Sequence, residues 1–229
     1  MSFTQPATLT LFFIFHIPNT RHTPHPLTHT PSSDILLQMN KDDIVTLPEP
    51  NLRKKSVRVG IITDEITKLI NDMRDATIDW ENSRDHEAAV GLAAIQVNKL
   101  YKIFLVRNDF ENTEDKKFTV FINPEITKTI EPLEEDYEGC LSVPDVYGKV
   151  KRYHGVKVKA LNERGEEFRV TAYGFLARIL QHEVDHTNGM VFIDHIKDDP
   201  EAFFRLMPGG GLEPLDYVKD IKDNSILWN

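Results

Sequence analysis

His182 and His186 stand four residues apart, with Glu183 directly after the first, in the stretch LQHEVDHTNG (180–189). On a helix, positions i and i+4 share one face, so both imidazoles project together and can hold one metal ion. Glu183 lies at the edge of that face, where a carboxylate can reach an activated water without ligating the ion. The spelling H-E-x-x-H is that of a zinc protease helix, and it supplies only two ligands. The third decides the chemistry. In the extended spacing H-E-x-x-H-x-x-G-x-x-H, Gly189 stands at the glycine, but Phe192 occupies the last position and His195 comes too late. Glu201 and Glu213 lie downstream, in a tail broken by Pro and Gly. Upstream, YEGCLSVP carries Cys140, the single cysteine of the chain. One thiolate and two imidazoles leave a coordination position for water, the format of a catalytic zinc-type site. A lone cysteine acting as a small buried apolar residue is the alternative.

These residues need elements to hold them. Leu176, Ile179, Leu180 and Val184 form an apolar stripe that predicts a helix from about Gly174 to Asn188, with Gly189 as its terminator. An earlier helix is expected to start at Thr63, a good N-cap, with Asp64 and Glu65 in its first turn. Its core positions are Ile66, Leu69, Ile70, Met73, Ala76 and Trp80, followed by a polar loop over 81–88. Then comes the apolar run VGLAAIQV. Short strands are expected at 102–107, 118–123, 156–161 and 167–172, with a hairpin turn at Asn162–Gly165 between the last two. The fold class expected is α+β: mixed, mainly antiparallel strands packed around the metal-binding helix, with an N-terminal helix and a C-terminal tail.

The chain has 229 residues and a formal charge of −9, which argues against general affinity for nucleic acid or an anionic membrane. A single cysteine permits no intramolecular disulfide and fits a reducing compartment, the cytoplasm. The first 38 residues hold only two charged side chains, Arg21 and Asp34, but four of the nine histidines and five of the thirteen prolines. They read as a disordered or non-native extension, with Met39 as the natural start. The apolar run from Leu9 to Ile17 is too short to span a bilayer. Residues 39–195 are expected to form the catalytic domain. Residues 196–229 are an acidic tail whose apolar side chains should pack back on the body, and a monomer is favoured over a dimer.

Three segments, VGLAAIQ (90–96), EGCLS (138–142) and QHEVDH (181–186), resemble in order the signature motifs of the peptide deformylase family. The second and third match in full. In the first, Ala89 replaces the leading glycine of Gly-φ-Gly-φ-Ala-Ala-x-Gln, and Tyr147 stands where many members carry an arginine. The resemblance implies a metal-dependent hydrolase that removes the formyl group from the N-terminal formyl-methionine of new polypeptides. It implies Cys140, His182 and His186 as metal ligands, with Fe²⁺ as the ion and Zn²⁺ or Ni²⁺ as substitutes. Glu183 would be the acid/base, with Gln96 and the Leu141 N–H stabilising the oxyanion. From the residues alone, Gln96 also reads as a polar cap ending an apolar strand. Val90 and Gly91 would pair with the substrate backbone, and Val90 and Ile179 would receive the methionine side chain. The partners implied are N-formylmethionyl nascent peptides and a transient contact with the ribosome.

Overall fold

The computed structural model describes residues 38–84, 87–110, 112, 114–208 and 211–228. The reading of the first 38 residues as an extension therefore falls almost wholly outside the described residues. Helix α1 spans Asp64–Asn82, with the Thr63 hydroxyl accepting from the Ile66 N–H at its start. Its apolar stripe is buried, each large side chain contributing roughly 1.5–3 kcal/mol when fully enclosed. The expected polar loop begins too early. Glu81 and Asn82 are still helical, and Glu81 is buried against Arg107 and Lys116. A carboxylate with two cationic partners can be buried where a lone one cannot.

The strands are β1 Gly91–Ala93, β2 Ile103–Arg107, β3 Phe118–Cys140, β4 Val143–Leu161 and β5 Glu167–Tyr173. Helix α2 is Gly174–Thr187, and strands β6 Phe203–Leu206 and β7 Leu212–Pro214 follow it. They form one sheet ordered β1-β2-β3-β4-β6-β7, with β5 also on β4. Every ladder is antiparallel, so the α+β class with a mainly antiparallel sheet holds.

Two expected short strands are parts of one long ribbon. β3 and β4 pair from Ile122↔Leu161 to Cys140↔Val143, with four register shifts on the way. Pro124 and Pro132 each sit inside one of these shifts, between Ile122 and Glu125 and between Ile130 and Leu133. A proline cannot donate to a ladder, so it is tolerated where pairing is interrupted. The ribbon ends in a two-residue turn, Leu141–Ser142, which sets Cys140 at its tip.

The tail joins the body. β6 pairs with the start of β4 from Val146↔Arg205 to Gly148↔Phe203. Phe203, Leu215, Ile221 and Leu227 are buried in a cluster with Leu47, Leu52, Val150 and Cys140. Arg53 ties the two ends, donating to Asp194 (2.6 Å) and to the Leu227 carbonyl (2.9 Å).

Candidate metal centre

Three segments converge on one point. α2 brings His182 and His186, the ribbon tip brings Cys140, and the helical turn Ala94–Val97 after β1 brings Gln96. The expected glycine stop closes α2. Gly189 has φ +77°, and a Cβ there would lie 2.6 Å from the Arg53 carbonyl oxygen. The close approach and the positive φ both require glycine.

His182 Nε2 lies 3.1 Å from His186 Nε2, and His186 Nε2 lies 3.3 Å from Cys140 Sγ. All three ligand atoms lie within 4.8 Å of one another, and all three residues are buried. Four-coordinate zinc-type geometry, with bonds of about 2.0–2.3 Å, sets ligand atoms roughly 3.3–3.6 Å apart. The donor set and its spacing therefore fit one divalent ion. Burial pushes the Cys140 thiol far above its usual range and holds His186 well below the usual histidine range, with His182 adding to the latter. A neutral imidazole is the form that binds metal, and an ion would draw the proton off the thiol.

Behind His182 stands Glu138, wholly buried in β3. It accepts from His182 Nδ1 (3.0 Å), from Arg152 Nε (2.8 Å) and Nη2 (3.0 Å), and from Arg178 Nη1 (2.8 Å). Burial opposes its ionisation, but Arg152 and the His182 bond outweigh that and hold Glu138 well below the usual carboxylate range. An ionised carboxylate only accepts, so His182 must carry its proton on Nδ1. That leaves the Nε2 lone pair facing Cys140 and His186. Arg152 also donates to Asp185 (2.5 Å), and His195 Nε2 meets the same Asp185 oxygen at 2.7 Å. Asp185 is thus an ion-pair partner, and His195 is held in that network.

Glu183 has the opposite surroundings. It is buried, its Oε2 has no hydrogen-bond partner, and burial, with Glu138 adding, raises its pKa well above the usual value. A Cβ on Gly91 would lie 2.5 Å from Glu183 Oε1, so any larger residue there would have to push the Glu183 carboxyl aside. Gln96 is fixed at both ends. Its Oε1 accepts from the Ala93 N–H (2.8 Å), while Nε2 donates to Ser142 Oγ (3.1 Å) and lies 3.6 Å from Cys140 Sγ. The amide N–H₂ is thereby aimed at the ribbon tip. A small cavity is lined by Gly91, Gln96, Gly139, Cys140, Leu141, His182 and Glu183. Val90 and Ile179 are not among its lining residues; both are fully buried in one apolar cluster.

The residue model of the polypeptide deformylase family matches residues 41–201. The chain belongs to this family. It is 40% identical over 154 residues to peptide deformylase 1 of Ralstonia nicotianae, covering 67% of this chain and 85% of that one. Among solved structures it is similar to a peptide deformylase from Legionella pneumophila, at 38% identity and TM-score 0.60, covering 69% of this chain and 85% of that one. A peptide deformylase from Synechococcus elongatus, solved in complex with actinonin, matches at 32% identity and TM-score 0.58, over 77% of this chain and 87% of that one. Peptide deformylases are metalloenzymes, which agrees with the buried Cys–His–His cluster.

Arg178 and the bond from His182 to Glu138 escaped the sequence reading. Arg178 precedes His182 by four residues on the same helix face, and Glu138 precedes Cys140 by two on the same strand. Both spacings were available as signals. Nothing in the sequence pairs Glu138 with His182 across 44 residues.

Proposed function

We propose that this chain is a metal-dependent hydrolase that removes the N-formyl group from the terminal formyl-methionine of newly made polypeptides and releases formate. The observation that carries this reading is the cluster of Cys140, His182 and His186 beside an unpartnered, buried Glu183 oxygen. A divalent ion held by Cys140 Sγ, His182 Nε2 and His186 Nε2 would act as a Lewis acid, lowering the pKa of water and polarising the formyl oxygen. Fe²⁺ is the ion we favour, with Zn²⁺ or Ni²⁺ able to substitute at a thiolate–imidazole site.

The side chains divide the remaining work. Glu183 Oε2 takes a proton from the attacking water and passes it to the departing methionine nitrogen, so the C–N bond breaks to a neutral amine. The Gln96 side-chain N–H₂ and the Leu141 backbone N–H donate to the oxygen that becomes negative at the formyl carbon. Glu138 keeps His182 in its metal-binding tautomer. The backbone at Val90 and Gly91, at the start of β1, pairs with the substrate chain. Residues 39–195 act as the catalytic domain and 196–229 as an extension packed on it. Among the described residues no helix is long and apolar enough to cross a membrane. We place the enzyme in the cytoplasm as a monomer, in transient contact with the ribosome.

The test is a pair of peptides, formyl-Met-Ala-Ser and its unblocked counterpart. Formate release from the first, with both peptide bonds of each intact, is expected. Internal cleavage without formate would mark an endopeptidase instead.

A further inference from the structure

The cavity at the metal cluster is small, and a formylated peptide must leave it in some direction. A second cavity shares Cys140 and Leu141 with it. It runs along Val143–Tyr147 to the end of α1, where Trp80, Arg84 and Glu87 line it. Arg84 is the cation there. Its guanidinium carbon lies 4.9 Å from the centre of the Trp80 ring, which holds the side chain over an aromatic face. Its nearest carboxylate contact among the described residues is Glu87 at 3.6 Å, beyond hydrogen-bond length, and the side chain is 40% exposed. A guanidinium carries five N–H donors, so Arg84 keeps donors for a ligand in this cavity. The ligand's chemistry follows from the other walls. Glu87 and Asp145 line the same cavity and repel an anion. Neutral carbonyl oxygens suit it better, and a peptide offers one per residue, every 3.3–3.6 Å at full extension.

Resting on the deformylase reading above, we propose that Arg84 anchors the main-chain carbonyls of the substrate beyond its methionine, making it a specificity-determining residue for peptide over free formyl-methionine. Arg84 sits in the segment between α1 and β1, outside all three signature motifs. Its effect acts on binding, because it lies away from the reacting carbon.

The test is steady-state formate release by the metal-loaded wild type, Arg84→Ala and Arg84→Lys on three substrates: formyl-methionine amide, formyl-Met-Ala-Ser amide, and formyl-Met-Ala-Ser as the free acid. Metal content and thermal midpoint of the variants are checked first. For Arg84→Ala, KM on both tripeptides is expected to rise roughly tenfold with kcat within about twofold, the loss of one charged hydrogen bond. KM on formyl-methionine amide stays the same, and Arg84→Lys recovers part of the loss. An equal loss on all three substrates, or none on the tripeptides, overturns the proposal. A loss confined to the free acid overturns it too, since the anchor would then be the terminal carboxylate. Absence of formate release from any substrate by the wild type overturns the deformylase reading and this inference with it.

Discussion

Glu138 and Glu183 are both wholly buried glutamates beside the same histidine pair, yet their surroundings are opposite. Glu138 accepts from two arginines and His182, and is held ionised. Glu183 has an oxygen with no partner, and burial favours its protonated form. One carboxylate is saturated and fixed; the other is left with capacity to take and give a proton. Environments that push two carboxyls apart are how one site assigns a structural anchor and an acid/base. The back of the centre is thus built for rigidity, and the front for chemistry.

That contrast predicts different losses from similar substitutions. Glu183→Gln should lower formate release by roughly 10²- to 10⁴-fold while metal per chain is unchanged. Metal analysis and turnover on one sample check it, and undiminished activity would remove Glu183 from the reaction. Glu138→Gln should act on the metal instead. It weakens the hold on His182, takes the carboxylate partner from buried Arg178 and leaves Arg152 with Asp185 alone. Competition with a chelator should show affinity falling about 10- to 100-fold. If affinity holds and only turnover drops, the division between the two glutamates is wrong.

Gly91→Ala should cost roughly tenfold in kcat/KM, because its methyl would displace Glu183 by steric contact. Circular dichroism and metal content should stay near wild type. The smallest effect is on stability without metal. Glu183 has a folded pKa above its unfolded value, so the folded state binds the extra proton. It therefore loses stability as pH rises through the unfolded pKa of about 4.3, until the folded pKa is passed. Chelator-treated Glu183→Gln lacks this loss. In urea titrations it should match the wild type at low pH and become the more stable protein as pH rises. A gap that does not change with pH would mean that Glu183 is not strained by burial.

The front of the centre was readable from sequence because its residues are spelled in local motifs. His182, Glu183 and His186 share one helix turn, and Gln96 and Cys140 each sit in a short signature. The start of α1 was equally legible, since Thr63 and the apolar stripe are local signals; its end was not, because the polar Glu81 and Asn82 read as loop and are helical. The back was not. Glu138 meets His182 only because β3 runs continuously to Cys140, and that continuity is masked by Pro124 and Pro132 and by exposed charges from Lys128 to Glu135. Alternation fails wherever a register shift intervenes, so a ribbon of 23 residues read as a six-residue strand. β6 and β7 are three or four residues long and flank a glycine run, too short for any period to show.

One ion held by Cys140, His182 and His186 and used for deformylation is the centre of the proposed chemistry. Anaerobic purification, followed by metal analysis and formate release from formyl-Met-Ala-Ser on the same sample, tests it most directly. About one divalent ion per chain is predicted, with formate release falling in step as a chelator removes it and returning when Fe²⁺ is restored. Full activity in a metal-free sample, or a loaded sample that releases no formate, would contradict it.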